Sequence, residues 1–185
     1  MGESMDRFLP AFDVRERHGT LVRATSSLAF ETAEGFKLQS IALVRTIFWL
    51  RSKLMGAQYE PLRRGLVEEM LALGWVKLAY TPGRELVMGS ATQPWIADVK
   101  FRSIPADEFA NFSEPGFVKI VWTIEAEPLR PALTRLATET RVRATDEGAR
   151  AKLRPYWRKF RLGIVLIRRL ALAAIRKEAE RGHLE

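Results

Sequence analysis

The chain reads as an α+β fold in which a curved antiparallel sheet is closed by one long C-terminal helix. Three observations predict it. Helical periodicity dominates residues 27–73 and then gives way to period-two alternation between residues 75 and 144. The alternating segments are punctuated by turn strings, Pro82-Gly83-Arg84, Glu114-Pro115-Gly116 and Pro128 to Pro131. The last alternating segment, residues 133–144, runs through Thr145-Asp146-Glu147-Gly148 into a long helical pattern carrying Tyr156, Trp157 and Phe160 on its apolar side. A final strand feeding an aromatic helix can close a sheet over a cavity.

Each element follows in order. Residues 12–24 place Val14, Glu16 and His18 on one face and Arg15 and Arg17 on the other, a strand with a kink or bulge near Gly19. Thr25-Ser26-Ser27 supplies capping side chains for a short helix over 27–36 that ends near Gly35. Leu38, Ile41, Val44, Ile47, Phe48 and Leu54 recur at helical spacing over 38–55, and Gly56 stops that helix. Leu62, Leu66, Met70 and Leu73 repeat the period over 61–73. Residues 75–80 and 85–92 are strands joined through Pro82-Gly83, where glycine tolerates a positive φ. A short strand at 99–104 and a helix or loop at 105–112 precede the strand 117–127, which sets Val118, Ile120, Trp122 and Ile124 on one face. The final helix spans about 146–181, its stripe formed by Leu153, Trp157, Phe160, Ile164, Ile167, Leu170, Leu172, Ala174 and Ile175, with a kink or fresh start expected at Pro155.

Bulk composition narrows the function classes. At 185 residues the expectation is one domain, 1–185, with an ordered core over about 12–180. An apolar content of 47% and a charged content of 28% are ordinary for a soluble globular protein. Cysteine is absent, which removes disulfides, thiol catalysis and thiolate metal sites and suits a reducing, cytoplasmic setting. Two histidines, His18 and His183, leave little from which to build a zinc site or a Ser-His-Asp triad. Neither a P-loop nor a dinucleotide glycine pattern is present, so no metal and no cofactor is expected. The N-terminal string MGESMDRFLP lacks a signal-peptide apolar core. The longest apolar runs, broken by Arg51 and by Arg168-Arg169, fall short of the roughly 18 residues of a spanning helix. The net charge of +8 is carried by residues 141–185, with 13 Lys/Arg against 5 Asp/Glu, while residues 1–140 hold 17 of each.

Four strings carry a resemblance: Pro82-Gly83-Arg84-Glu85-Leu86-Val87-Met88-Gly89, Glu114-Pro115-Gly116-Phe117-Val118-Lys119, Thr138-Glu139-Thr140-Arg141-Val142 and Tyr156-Trp157-Arg158. With the element order, they make residues 12–180 resemble the START-like, or SRPBCC, superfamily, and in particular its bacterial members. That superfamily contains lipid-transfer START domains, Bet v 1-like plant allergens and polyketide cyclases/dehydrases. The resemblance implies a helix-grip fold and a small hydrophobic or amphipathic ligand, lipid-like or polyketide-like, held between sheet and C-terminal helix. Its alternatives are a cyclase or dehydratase acting on such a ligand, and a lipid carrier docking to anionic membrane. The chain departs from the pattern at Gln93-Pro94 before Trp95 and in the apolar segment 162–167, both able to reshape a pocket mouth.

The candidate cavity lining is Leu78, Tyr80, Val87, Ile120, Trp122, Trp157, Phe160 and Ile164, which would serve equally as plain core. Glu139 and Arg141, two apart on a strand, share a face with Lys119 nearby. Turned inward they would orient a polar ligand group; turned outward they are a cross-strand ion pair. His18 is the candidate general base, with Glu85 beside its turn as a second candidate at a cavity rim. Arg150, Arg154, Arg158, Arg161, Arg168 and Arg169 give the last helix a basic face, read as solvated or as meeting an anionic membrane, with nucleic acid the least favoured partner. The protein is expected as a monomer or homodimer.

Overall fold

The computed structural model describes residues 3–56 and 64–183. The chain begins with helix α1 (Glu3–Phe8), strand β1 (Val14–Val22) and helix α2 (Ser26–Gly35). A 3-10 turn at Leu38–Ser40 leads into α3 (Ala42–Met55), followed by α4 (Leu66–Ala72). Then come β2 (Val76–Thr81), β3 (Glu85–Thr92), β4 (Phe101–Arg102), α5 (Ala106–Phe109), β5 (Val118–Arg130), β6 (Leu133–Ala144) and α6 (Glu147–Gly182). Leu62 of the expected 61–73 helix lies outside the described residues.

The strands form one antiparallel sheet in the order β1-β6-β5-β3-β2, with β4 paired to β3 beyond β2. With α6 laid against it, this is the helix-grip architecture. Hairpins explain the order. Arg84 N–H donates to the Thr81 carbonyl at 3.1 Å, and Gly83 sits at φ 70°, the left-handed position that closes a three-residue loop. Pro128 does not end β5, as its turn chemistry suggested. It sits where the β5–β6 register shifts, and pairing resumes at Arg130 with Leu133.

Register fixes which side chains share a face. Glu16, His18, Trp122, Ile124, Leu136, Thr138, Thr140 and Val142 fall on the inner face, toward α2 and α6. Arg15, Arg17, Val121, Thr123, Glu125, Glu139 and Arg141 fall on the outer face. Both faces of β5 and β6 are covered. The main core lies inside, around Phe30, Phe36, Leu86, Met88, Leu136 and Ile175. A second core lies outside, where α1 and α5 press Met5, Phe8, Leu9 and Phe109 against Leu78, Val87 and Val121. Phe109 needs Gly89 beneath it: a Cβ there would stand 2.7 Å from its ring. α1 thus adds Met5 and Phe8 to the packed interior.

α6 is capped by Asp146, whose carboxylate accepts from Ala149 N–H at 2.9 Å and from Gly116 N–H. The helix passes Pro155 without interruption. The carbonyl deprived of its donor belongs to Ala151, which is exposed and open to water. Its buried residues cluster at two ends: Ala149 and Leu153, then Ala171, Leu172, Ile175 and Ala179. None between Leu153 and Ala171 is buried. Among the described residues no helix is long and apolar enough to cross a membrane.

Candidate functional site

The middle of α6 lacks buried side chains because it spans a hollow. A cavity of about 740 Å³ lies between α6, the inner face of the sheet, α3 and α4. Ile120, Trp122, Trp157, Phe160 and Ile164 line it, and so do Phe48, Met70 and Tyr156. Leu50, Leu54, Leu162 and Leu166 also line it while remaining exposed, so they mark its mouth between α3 and α6. Gly163 lets these helices approach, with Ile47 Cγ2 3.4 Å from where its Cβ would stand.

The remaining expected residues lie elsewhere. Leu78 and Val87 point to the outer face, into the core under α1 and α5. Tyr80 is half exposed near the end of β2, its ring tilted against Phe30 and its hydroxyl donating to the Glu34 carboxylate at 3.3 Å. Glu85 accepts from Ser4 of α1 at 2.6 Å and belongs to the outer face. Glu139 and Arg141 also face outward, yet they are buried, because α1 and the segment after it cover them. Glu139 accepts from Arg15 at 2.9 and 3.0 Å and from Arg141 Nε at 2.8 Å. Arg141 also donates to Asp6 and, at 3.2 Å, to the Leu9 carbonyl. Burial alone would raise the Glu139 pKa, but the Arg15 and Arg141 hydrogen bonds outweigh it and hold the carboxyl below its ordinary value. Lys119 is likewise outward and buried, donating to the Phe109 and Ala110 carbonyls at 3.1 and 2.8 Å. These charges latch the N-terminal segment and α5 to the sheet, and they do not touch the cavity.

The cavity's own polar patch comes from residues that the sequence reading did not select as ligand contacts. Thr138 and Thr140 alternate with Glu139 and Arg141, so they take the inner face. Arg168 of α6 reaches them, Nη2 donating to Thr140 Oγ1 at 2.5 Å and Nη1 to Thr138 Oγ1 at 3.4 Å. Arg168 belongs to the apolar stripe rather than the basic face: it follows Ile164 by four residues and precedes Leu172 by four. That spacing is the signal by which it could have been found. Loss of water pulls its pKa down to about 10, with Glu16 opposing.

His18 lies beside this patch without lining the cavity. It pairs across the strands with Thr138, its Nε2 is enclosed without a hydrogen-bond partner, and Glu16 Oε2 stands 3.7 Å away. Burial lowers its pKa, Arg168 and Arg169 add to the effect, and Glu16 opposes them. It faces instead a groove of about 820 Å³ at the β1 edge, shared with Arg169, Arg176 and Lys177. Of the basic face, Arg161 is held by Glu16 at 2.7 Å and Arg150 by Asp13 at 2.8 Å. Among the described residues no cluster of His, Asp or Glu is placed to hold a metal.

No protein-family model matches the chain, and no curated protein matches it. Two solved structures are similar to it along most of their length. A conserved protein from Geobacillus kaustophilus is 13% identical, with a TM-score of 0.42 over 92% of this chain and 97% of that one. The Zhui aromatase/cyclase from Streptomyces sp. R1128 is 13% identical, with a TM-score of 0.33 over 91% of this chain and 94% of that one. Likeness at this level carries no argument about function, which has to come from the cavity.

Proposed function

We propose that the protein binds a small hydrophobic or amphipathic molecule in the cavity between the sheet and α6. The observation that carries the reading is the hollow itself: about 740 Å³, walled mostly by apolar side chains, under a helix whose buried side chains lie only toward its ends. Protein interiors pack densely, and a void of this size left unfilled forfeits dispersion contacts along its walls. The test uses a neutral apolar dye, N-phenyl-1-naphthylamine. The wild-type protein should bind it with enhanced emission, and Ile164→Trp, which fills the middle of the hollow, should weaken binding at least tenfold while the melting temperature holds. Equal binding by both proteins would overturn the reading.

A cyclase or dehydratase needs a group that moves a proton within reach of the ligand. None of His18, Glu85, Tyr80 and Glu139 lines the cavity, so binding is preferred over catalysis.

One observation favours a carrier that loads at a membrane. The mouth exposes Leu50, Leu54 and Leu162, the last at 81%, on stretches of α3 and α6 without carboxylates. The sequence holds no Asp or Glu between Glu34 and Glu60 or between Glu147 and Glu178, while Arg45, Arg51, Lys53, Arg158 and Lys159 lie in those stretches. An apolar rim set in positive charge complements an anionic bilayer surface.

A further inference from the structure

We infer that the ligand carries a carboxylate, and that it seats this group against Arg168, Thr138 and Thr140 at the β6 wall of the cavity. The inference rests on the cavity-binding reading and adds the chemical class of the head group.

Several arginines on or against this part of the sheet are matched with acids. Arg15 and Arg141 meet Glu139, Arg141 also meets Asp6, and Arg161 meets Glu16. Arg168, which lines the cavity, differs from them. It donates to two threonine hydroxyls, which are neutral, and no carboxylate forms an ion pair with it. Glu16 favours the Arg168 charge only at longer range, its carboxylate being engaged by Arg161. The Nε–H of Arg168 is enclosed and donates to nothing. A guanidinium has five N–H donors in a rigid fork suited to a planar carboxylate, and two of them are spent on Thr138 and Thr140.

A guanidinium largely withdrawn from water with no anion beside it is a costly arrangement unless something completes it. A fatty or aromatic acid would do so. Its carboxylate would take the remaining donors as charge-assisted hydrogen bonds, and its apolar body would occupy the hollow toward Trp157 and Ile164. A neutral ligand of the same length would fill the hollow and leave the Arg168 charge uncompensated. A phosphate monoester would bring about two negative charges to a single guanidinium, a poorer match.

The experiment compares laurate with dodecanol, equal chains differing in the head group, as competitors of N-phenyl-1-naphthylamine at pH 8. The wild-type protein should prefer laurate by about tenfold or more, the range of one charge-assisted contact. Arg168→Met, similar in length and apolar, should keep dye binding and lose the preference, and Arg168→Lys should keep part of it. Equal competition by laurate and dodecanol on the wild-type protein, or a preference that survives Arg168→Met, would sink the inference while leaving the cavity reading intact. Failure of the dye itself to bind would remove both. Because the wild-type comparison decides the matter alone, the test stands even if Arg168→Met folds poorly.

Discussion

Glu125 and Glu139 share the outer face of the sheet, both are buried, and their carboxyls are driven in opposite directions. For Glu125, burial raises the pKa, Arg17 at 3.3 Å offsets part of it, and Glu85, directly across the strands, adds to the rise. Its Oε1 has no hydrogen-bond partner. A raised folded pKa means that stability present below the ordinary value of 4.5 is lost as pH climbs toward the folded value. Glu125→Gln should therefore raise the urea midpoint at pH 7, with the gain shrinking as pH approaches 4.5. A midpoint unchanged at pH 7 would refute this. Glu139 has the opposite sign: its depressed pKa supplies stability above the ordinary carboxylate range that is lost on acidification. Glu139→Gln should cost about 3 kcal/mol at pH 7, the scale of breaking one partner from a buried ion pair. Dye binding at the cavity should be unaffected, since these groups lie on the far side of the sheet.

At the scale of elements, α6 has two packed ends joined by a span that lacks buried side chains. Leu153 and Leu172 are packed, whereas Ile164 and Phe160 border empty space. Leu153→Ala should cost about 2–4 kcal/mol, while Ile164→Ala should cost less than about 1.5 kcal/mol, because no tight packing is lost there. Chemical denaturation of the two variants checks the contrast, and equal losses would mean that the span is supported after all. Most element boundaries were legible from alternation and turn residues. α1 was not, because six residues are too few to show a period. The role of Pro155 was not either, since the outcome depends on whether the stranded carbonyl can reach water.

Taken whole, the molecule presents its cavity mouth and the exposed Leu50, Leu54 and Leu162 on α3 and α6, helices that also carry Arg51, Lys53, Arg158 and Lys159. Sedimentation with vesicles should therefore increase when phosphatidylglycerol is added to phosphatidylcholine, and Leu162→Glu should reduce it severalfold. Co-sedimentation indifferent to anionic lipid would dismiss docking. The cavity was only half visible in the sequence. Period-two reading separates the two faces of a strand, but the core runs along both, so apolar content could not say which face was hollow. Leu78 and Val87, cavity candidates on that reading, lie on the outer side, and the Glu139–Arg141 pair, which alternation left open between the two faces, lies there as well. Arg168 was hidden by its charge, which reads as solvent-facing wherever the apolar stripe is not followed through it.

The alternation of β6 has one more consequence. Along Thr138-Glu139-Thr140-Arg141, hydroxyls face the hollow and charges face α1. If β6 slid by a single residue along β5, every side chain would change sides. Glu139 and Arg141 would be thrust into a greasy chamber away from Arg15 and Asp6, and two threonines would be left against the N-terminal helix. Misaligned pairings are thereby penalised on both surfaces at once, so the same pattern that shapes the binding chamber proofreads the assembly of the sheet.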